Sequence, residues 1–338
     1  MKRTHGVGAT LAYALLVGGY LLASSIGLAA SATKPVPPAY RGAIIVDASS
    51  GKVIFEDRAD TPNPPASVTK LMTFLVVYEQ IAAGKLSLST EVPITAEDAS
   101  MGGSQVWLQA GEIFTVEELL YAMMIQSAND CAHALARAAG GSREGFVAMM
   151  NSRAQSLGMT HTTFRTPHGL PAPSRKTSDG DLTTPRDLAL LSRELLLHTT
   201  ILRYTSVKVR TFRPGQPPPK EVIMRNHNHL VDRIRGVDGL KTGYTAGAGF
   251  CLAATAEREG RRVIVVTMGS PDVKTRNLKV AEFIERGFAE LPASSRFYSE
   301  ANPIRAVTPA NTPEVVKAAT SAAPAKSPSG SPAAAKPQ

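Results

Sequence analysis

The chain has 338 residues, of which 43% are hydrophobic, and its net charge at neutral pH is +9. This length and composition allow a large buried core, and they exclude both a largely disordered chain and a disulfide-stapled miniprotein. The positive charge is compatible with anionic lipids or wall polymers as partners, but it carries no information about the fold.

The first 32 residues have the composition of an export signal. Lys2 and Arg3 precede an apolar stretch at 7–28, and the small residues at 30–32 have the spacing that a signal peptidase recognises. Because the apolar stretch is long enough to span a bilayer, an uncleaved membrane anchor is the alternative. Cleavage would lower the net charge to +7, since the segment contains two basic residues and no acid.

Strand and helix patterns follow in chain order. Residues 42–47 and 52–57 predict two strands joined by a hairpin turn. Apolar residues at helical spacing predict a largely buried helix from Ser67 to about Ala83. Four further helices are predicted at residues 116–126, 128–139, 142–157 and 184–197.

Strand character returns in the second half of the chain. Strands are predicted at residues 207–212, 221–224, 249–255 and 262–268. A last amphipathic helix is predicted at about 272–290. These elements favour an α/β fold of the α+β type, in which an antiparallel sheet is flanked by the first and last helices and carries an inserted helical subdomain. We expect a functional cleft between the sheet and the insertion.

Composition divides the chain into three segments. We predict an export signal at 1–32, one globular domain at 33–292, and a low-complexity tail rich in Ala, Pro and Ser at 293–338. From Val307 onward the tail has too little large apolar surface to form a core. Cys131 and Cys251 lie in apolar stretches, so we interpret both as small buried side chains, with a single bridge as the alternative.

The pattern Ser-x-x-Lys occurs twice and is weak evidence by itself. Ser49 and Lys52 belong to the predicted hairpin turn, where a structural role is sufficient. Ser67 and Lys70 stand at the start of a buried helix, where positions i and i+3 share a face and the amine can reach the hydroxyl. Burial near a second cation would lower the pKa of Lys70 and make it a usable base. The alternative is a helix-capping serine followed by a solvated lysine.

Two further polar motifs stand at element boundaries. Ser127 and Asn129 fall in a short break between two predicted helices, where they could project into a cleft or simply cap the second helix. Lys241, Thr242 and Gly243 precede a predicted strand. A glycine there lets a ligand backbone approach a sheet edge, and the lysine and threonine could bind a carboxylate; an exposed turn is the alternative.

The order and context of these three motifs resemble those of the penicillin-binding proteins and serine β-lactamases. Over about residues 38–292 the chain resembles, more specifically, the low-molecular-mass penicillin-binding proteins of the D-alanyl-D-alanine carboxypeptidase family. The stretches that carry this resemblance are residues 66–73, 127–130, 167–170 and 237–245, and Met268-Gly269 with Arg276 downstream.

The resemblance implies the penicillin-binding protein/serine β-lactamase fold and a hydrolase that removes the terminal D-Ala from peptidoglycan stem peptides. Ser67 would attack the penultimate carbonyl while Lys70 accepts its proton, and Ser127 would help relay a proton to the leaving amine. The backbone amides of Ser67 and Tyr244 would hold the oxyanion.

The resemblance also implies binding residues and partners. Asn129 would bind the substrate amide, and Lys241 and Thr242, with Arg276, would hold the terminal carboxylate. Stem peptides would be the substrates and β-lactam antibiotics covalent inhibitors, in the periplasm or at the extracytoplasmic face of the cell envelope. We expect no cofactor, no metal ion and no nucleic acid partner.

Two departures from the family pattern qualify the resemblance. Only 46 residues follow Pro292, so we expect neither the β-rich second domain nor the C-terminal membrane anchor that many members carry. Pro171 follows the His168-Gly-Leu stretch at a position where an Asp is common in relatives, so we assign no catalytic role to His168.

Several rival functions stay open at this point. The pair His227 and His229 could bind a metal ion, which suggests a metal-dependent peptidase as one rival function. The absence of a His-Glu-x-x-His pattern disfavours it. A β-lactamase is disfavoured because no Glu-x-x-Leu-Asn stretch would position a deacylating water. A D,D-endopeptidase that cleaves peptide cross-links and a non-catalytic wall-binding protein are the remaining alternatives.

Overall fold

The computed structural model describes residues 38–217 and 220–299, so the predicted export signal and most of the predicted tail lie outside the described residues. The strands are β1 (Gly42–Asp47), β2 (Val53–Asp57), β3 (Glu91–Pro93), β4 (Ile113–Thr115), β5 (Val209–Phe212), β6 (Val222–Arg225), β7 (Val237–Thr245), β8 (Gly249–Arg258) and β9 (Arg261–Ser270). The helices are α1 (Lys70–Ala82), α2 (Ala96–Ala99), α3 (Val116–Ile125), α4 (Asn129–Gly140), α5 (Arg143–Ser156), α6 (Pro185–His198), α7 (Leu202–Thr205) and α8 (Val273–Glu290). Short 3₁₀ turns span Ala66–Thr69, Thr177–Asp179 and His229–Asp232.

The main sheet has five antiparallel strands in the order β2-β1-β9-β8-β7. Its two faces bury separate sets of apolar residues, as the alternation along β1 requires. Ile44 and Val46 pack into the large core shared with the helical block, whereas Ala43 and Ile45 pack into the smaller core beneath α8. Strand β7 forms one edge of the sheet.

Helices α1 to α7 lie between β2 and β7 in the chain; α1 is the predicted first flanking helix, and α3 to α6 correspond to the predicted insertion. The first eight residues of α1, from Lys70 to Val77, are all buried. Helix α3 begins with the predicted capping box, in which Thr115 and Glu118 satisfy each other's backbone amides. The predicted α+β architecture is confirmed.

The structure differs from the prediction in three places. Residues 237–245 form an edge strand of the main sheet, so the alternative of an exposed turn is wrong. Strands β5 and β6 pair only with each other, as a separate ribbon. Strands β3 and β4 were not predicted, and at three residues each they are too short for a period-two pattern to be visible.

The two cysteines are both buried and free, so the disulfide alternative is wrong. Burial raises the pKa of the Cys251 thiol to about 11 and raises that of Cys131 as well. Both therefore behave as small apolar side chains.

Residues 293–299, at the start of the predicted tail, contact the domain. The Ser295 hydroxyl lies 3.1 Å from a carboxylate oxygen of Asp47, and the Phe297 amide donates to the carbonyl of Gly260. Over the ranges that the structure describes, no helix is both long and apolar enough to cross a bilayer.

Candidate active site

Ser67 lies in the 3₁₀ turn that leads into α1. In this conformation side chains at i and i+3 eclipse each other, which brings Lys70 beside Ser67. Lys70 Nζ lies 3.0 Å from Ser67 Oγ. Ser67 is half-buried, whereas Lys70 is fully buried as the first residue of α1. The hydroxyl can therefore meet a ligand while the amine is shielded from bulk water.

The Lys70 amine has three hydrogen-bond partners, and their chemistry indicates its protonation state. Nζ lies 2.6 Å from Asn129 Oδ1 and 2.8 Å from the backbone oxygen of His168, both of which only accept hydrogen bonds. The Ser67 hydroxyl can either accept or donate. A neutral lysine amine has two N–H groups and one lone pair, so donation to Asn129 and His168 leaves the lone pair for the proton of Ser67.

Electrostatics favours that neutral amine. Burial is the main cause that lowers the pKa of Lys70 well below its ordinary value, and the nearby cation of Lys241 lowers it further. The buried carboxyls of Asp181 and Asp130 oppose this shift. The balance of these effects is an amine that can accept a proton.

Ser127 and Lys241 form a second polar pair. Ser127 occupies the break between α3 and α4 with a φ of +62°, in the left-handed region that is uncommon for a residue with a side chain. Lys241 Nζ lies 3.0 Å from Ser127 Oγ and 3.1 Å from the backbone oxygen of Thr242. Burial, and then the charge of Arg276, lower the pKa of Lys241 to about 7.

Both polar atoms of the Asn129 side chain bond to other residues of the protein. Its Oδ1 faces Lys70, and its Nδ2 donates to the backbone oxygen of Gly102 at 2.7 Å. The residue before α4 is Ala128 and makes no side-chain capping bond, so neither Ser127 nor Asn129 serves as the helix cap. The geometry makes Asn129 a positioning residue for Lys70, and binding of the substrate amide by Asn129 stays a prediction.

One cleft of about 360 Å³ brings the remaining predicted residues together. Its lining includes Ser67, Ser104, Ser127, His227, Thr242, Gly243, Tyr244 and Arg276. Arg276 is buried, and its guanidinium donates only to Asn277 among the contacts of the described residues. Tyr244 is 56% exposed and stacks on Phe250 with ring centroids 4.1 Å apart. The cleft thus has a cationic side at Arg276, with Lys241 buried beside the lining residues Ser127 and Thr242, and it is also lined by the aromatic pair Tyr244 and Phe250.

Gly243 is required for a different reason from the one expected. A Cβ there would lie 2.5 Å from the backbone oxygen of Pro65 and 3.0 Å from the amide nitrogen of Ser67. The missing side chain therefore lets β7 pack directly against the turn that carries Ser67.

Two buried aspartates outside the predicted set of site residues fix the surroundings of Lys70. Asp181 accepts the hydroxyl of Thr69 at 2.8 Å and the amides of Arg165 and Thr166 at 2.7 and 3.0 Å. This ties the residue before Lys70 to the segment that leads into His168. Asp130 accepts the amide of Leu108 at 3.1 Å and so attaches the 104–108 segment to the start of α4.

His168 acts through its backbone rather than its ring. Its carbonyl accepts from Lys70, whereas its buried imidazole accepts the amide of Leu170 at 3.2 Å. Burial, and then the charge of Lys70, lower the pKa of the imidazole to about 3, so the ring is neutral at physiological pH. No sequence pattern could have selected a carbonyl oxygen.

Gly169→Ala is expected to destabilise the protein by about 3 kcal/mol or more. Its φ of +83° favours glycine, and a Cβ there would lie 1.9 Å from the carbonyl oxygen of Ala66, beside Ser67. Urea unfolding measures the loss. Gly84→Ala is the control, because Gly84 has a φ of +71° but no atom within 4 Å of the added carbon. Gly84→Ala should lower the free energy of unfolding by about 1 kcal/mol. Equal losses would show that the contact with Ala66 is unimportant.

Lys241→Met is expected to flatten the pH dependence of stability. The pKa of Lys241 is about 7 in the fold and 10.5 as an ordinary lysine, so between these values the unfolded chain binds more protons. The free energy of unfolding of the wild type should therefore rise with pH from about 7 to about 10, by up to about 1.4 kcal/mol per pH unit from this residue. Below pH 7 both states carry the proton and the slope vanishes.

Urea titrations at several pH values measure that slope. Lys85→Met, at an exposed position, is the control and should leave the slope unchanged. An identical slope in wild type and Lys241→Met would contradict the shifted pKa.

His227 and His229, the two residues that suggested a metal-dependent peptidase, both line the cleft. Burial is the main cause that lowers the pKa of His227 to about 4, so it is a neutral imidazole at pH 7. Within residues 38–217 and 220–299, no group of three or more His, Cys, Asp or Glu side chains could hold a metal ion.

Comparisons with known proteins agree with this fold and show the family. The family model described as D-alanyl-D-alanine carboxypeptidase matches residues 30–272. The chain is 36% identical to D-alanyl-D-alanine carboxypeptidase DacF of Bacillus subtilis over 74% of its own length and 62% of that protein. It is 36% identical to DacC of Escherichia coli over 78% of its own length and 63% of that protein. The chain thus spans somewhat less than two thirds of these curated relatives.

Solved structures give the same result. A D-alanyl-D-alanine carboxypeptidase from Mycobacterium tuberculosis superposes with a TM-score of 0.68 at 28% identity, covering 80% of this chain and 98% of that one. A penicillin-binding protein of Listeria monocytogenes, in its ampicillin-bound form, superposes with a TM-score of 0.64 at 32% identity, covering 76% of this chain and all of that one.

The antiparallel sheet with its helical insertion, and the serine and lysine pair in the cleft between them, define the class of the penicillin-binding protein and serine β-lactamase folds. Within that class, the chain belongs to the D-alanyl-D-alanine carboxypeptidase family.

Proposed function

We propose that this chain is an exported serine-type D-alanyl-D-alanine carboxypeptidase that removes the terminal D-Ala from peptidoglycan stem peptides. The observation that carries the proposal is the 3.0 Å contact between Ser67 Oγ and a buried Lys70 Nζ whose other contacts are two acceptors. Family membership supplies the substrate class. We place the catalytic domain at residues 33–292.

Acylation begins at Ser67. The neutral amine of Lys70 takes the hydroxyl proton as Oγ bonds to the carbonyl carbon of the penultimate D-Ala. The carbonyl oxygen becomes an oxyanion, for which the backbone amides of Ser67 and Tyr244 are the proposed donors. Burial of Lys70 favours its neutral form before the reaction, and the developing charge on the substrate stabilises its cationic form afterwards.

Collapse of the tetrahedral intermediate breaks the peptide bond. The proton that Lys70 took from Ser67 passes to the leaving amine, which makes Lys70 neutral again. Ser127 is the proposed relay for this proton, because its hydroxyl lies at the wall of the same cleft, 3.0 Å from Lys241 Nζ. The terminal D-Ala leaves as the free amino acid. A water then attacks the acyl-enzyme, returns its proton through Lys70 and restores the Ser67 hydroxyl.

The terminal carboxylate selects the substrate. Thr242 and Arg276 line the cleft beside Ser67, and buried Lys241 adds positive charge behind them. A carboxylate placed there neutralises cations that have no carboxylate partner among the described residues. Such a site favours a substrate with a free carboxylate on the residue that follows the scissile bond, as a stem peptide ending in D-Ala-D-Ala has.

The same site suits β-lactam antibiotics as covalent inhibitors, since their carboxylate and strained carbonyl match Arg276 and Ser67. The ampicillin-bound relative supports this part of the proposal. Export to the periplasm or the extracytoplasmic face is supported by the composition of residues 1–32, which also leaves open attachment to the membrane through an uncleaved segment.

Mass spectrometry of purified muropeptides after incubation tests the proposed function. We expect pentapeptide stems to lose one alanine, and a sample pretreated with penicillin to lose none. Cleavage of cross-linked dimers without loss of alanine would instead identify an endopeptidase. No change in any muropeptide would favour a non-catalytic wall-binding protein.

A further inference from the structure

A second cavity, of about 310 Å³, adjoins the turn that carries Ser67. One wall is the segment from Gly169 to Asp181, and the other is the turn after β7, at residues 245–247. Pro64 and Ala66 lie at its base. This cavity is separate from the carboxylate-binding cleft, because the two share no lining residue.

The wall at 245–247 is held in place by polar contacts. Arg41 donates to the carbonyl of Gly247 at 2.7 Å and to Asn63 Oδ1 at 2.8 Å. Asn63 in turn donates to the carbonyl of Ala248 at 3.1 Å. The turn after β7 is therefore a fixed surface for a ligand.

The opposite wall carries two exposed cations, Arg175 and Lys176. Neither makes an ion pair with any carboxylate of the described residues. Asp179, the one acid at positions 171–180, accepts the hydroxyls of Ser174 and Ser178 and lines a neighbouring cavity instead. The two cations are thus available to a ligand.

Asp181 also lines the cavity, but it forms no ion pair with these cations. Its oxygens are occupied by Thr69, Arg165 and Thr166, none of which lines the cavity. The remaining lining is mostly apolar, with Leu170 beside Pro64 and Ala66. The cavity therefore suits a short aliphatic chain that ends in a negative charge.

The direction of β7 relates the cavity to the substrate. Thr242 borders the carboxylate-binding cleft and Thr245 borders this cavity, three residues or about 10 Å further along the strand. A peptide extended antiparallel to β7, with its terminal carboxylate near Thr242, would bring the residue before D-Ala-D-Ala to Thr245.

We propose that this cavity is a specificity subsite for the residue before D-Ala-D-Ala, and that Arg175 and Lys176 select a side chain ending in a free carboxylate. The proposal rests on the proposed carboxypeptidase function. It assigns to the 170–180 loop a preference for acidic stem peptides over those in which that carboxylate is amidated.

A matched pair of substrates tests the subsite. Nα-acetyl-Glu-D-Ala-D-Ala and Nα-acetyl-Gln-D-Ala-D-Ala differ only in the charge of one side chain. We expect kcat/KM, from release of D-Ala at about 50 mM salt, to be about tenfold higher for the acidic peptide. The ratio should fall toward one at about 0.5 M salt, since the cations are exposed.

Two double variants that lose the same charge show whether the preference for the acidic peptide depends on Arg175 and Lys176. In Arg175→Gln/Lys176→Gln the ratio should fall to about one, whereas Lys52→Gln/Lys85→Gln, at exposed positions outside the cavity, should keep it. An unchanged ratio in the first variant, or an equal fall in the second, overturns the subsite.

The outcomes also separate this proposal from the proposed function. Equal hydrolysis of both peptides by the wild type overturns the subsite and leaves the carboxypeptidase standing, whereas hydrolysis of neither overturns the carboxypeptidase. The rate of penicillin labelling reports whether the first variant is folded. If the double variant is not folded, the proposal is tested with the single variants Arg175→Gln and Lys176→Gln and with the salt dependence of the wild type. A kcat/KM ratio that neither single variant nor salt lowers overturns the subsite.

Discussion

Ser67→Ala is expected to abolish covalent labelling by a fluorescent penicillin and to lower the release of D-Ala by about 10⁴-fold or more. The substitution removes the oxygen that forms the acyl bond, and it also removes the hydroxyl that Lys70 contacts among the described residues. Gel fluorescence of the labelled protein measures the first effect, and a D-amino acid assay measures the second. Label that persists in Ser67→Ala would place the nucleophile elsewhere.

Ser49 and Lys52 provide a control, because they have the same Ser-x-x-Lys spacing as Ser67 and Lys70. The Ser49 hydroxyl donates to the carbonyl of Arg296 at 2.7 Å, and Lys52 is exposed on the hairpin turn. Ser49→Ala should therefore label at the wild-type rate, with a loss of stability of about 1 kcal/mol from the missing hydrogen bond. A matching loss of label in Ser49→Ala would mean that labelling reports stability rather than the nucleophile.

The helices and most of the sheet could be predicted because their patterns are local. The capping box at Thr115 and Glu118 begins α3, and the alternation along Ile44 and Ile45 reflects the two faces of β1. Strand β7 was ambiguous for a physical reason. Lys241 and Thr242 are polar but buried, so the segment has neither an alternating nor a continuously apolar pattern.

The site could be predicted as a set of motifs but not as a geometry. Ser67 and Lys70 are neighbours in sequence, whereas the other partners of Lys70 lie 59 and 98 positions away, at Asn129 and His168. One of these partners is a carbonyl oxygen, which every residue has. Long-range contacts of this kind depend on how the helical block packs against β7, and no local pattern encodes that packing.

The same limit explains why Asn129 and Gly243 have different surroundings from those expected. The residue pattern left Asn129 open between a cleft-facing side chain and a helix cap, and the family resemblance made it a ligand for the substrate amide. Gly243 was expected to let a ligand backbone approach the sheet edge. In the structure Asn129 contacts Lys70 and Gly102, and Gly243 lets β7 approach Ser67. Both residues support the nucleophile, which is consistent with a site whose precision comes from buried neighbours.

Lys70→Arg is expected to lower the rate of penicillin acylation by about 10³-fold. Arginine keeps the donors toward Asn129 and His168, but it stays protonated in a protein and so cannot accept the Ser67 proton. In the wild type, the acylation rate should fall as the pH drops through the lowered pKa of Lys70, because only the neutral amine accepts the Ser67 proton. Stopped-flow acylation over a pH range measures both effects.

The rival base is Lys241, whose pKa of about 7 would also suit proton transfer. Its contact is with Ser127, however, and it lies beside the proposed leaving-group relay rather than at the Ser67 hydroxyl. Lys241→Arg should therefore slow acylation less than Lys70→Arg and keep the acid limb of the pH profile. Lys52→Arg controls for a lysine to arginine change on the surface. If Lys70→Arg acylates at near the wild-type rate while Lys241→Arg loses the acid limb, the base is Lys241, acting through Ser127.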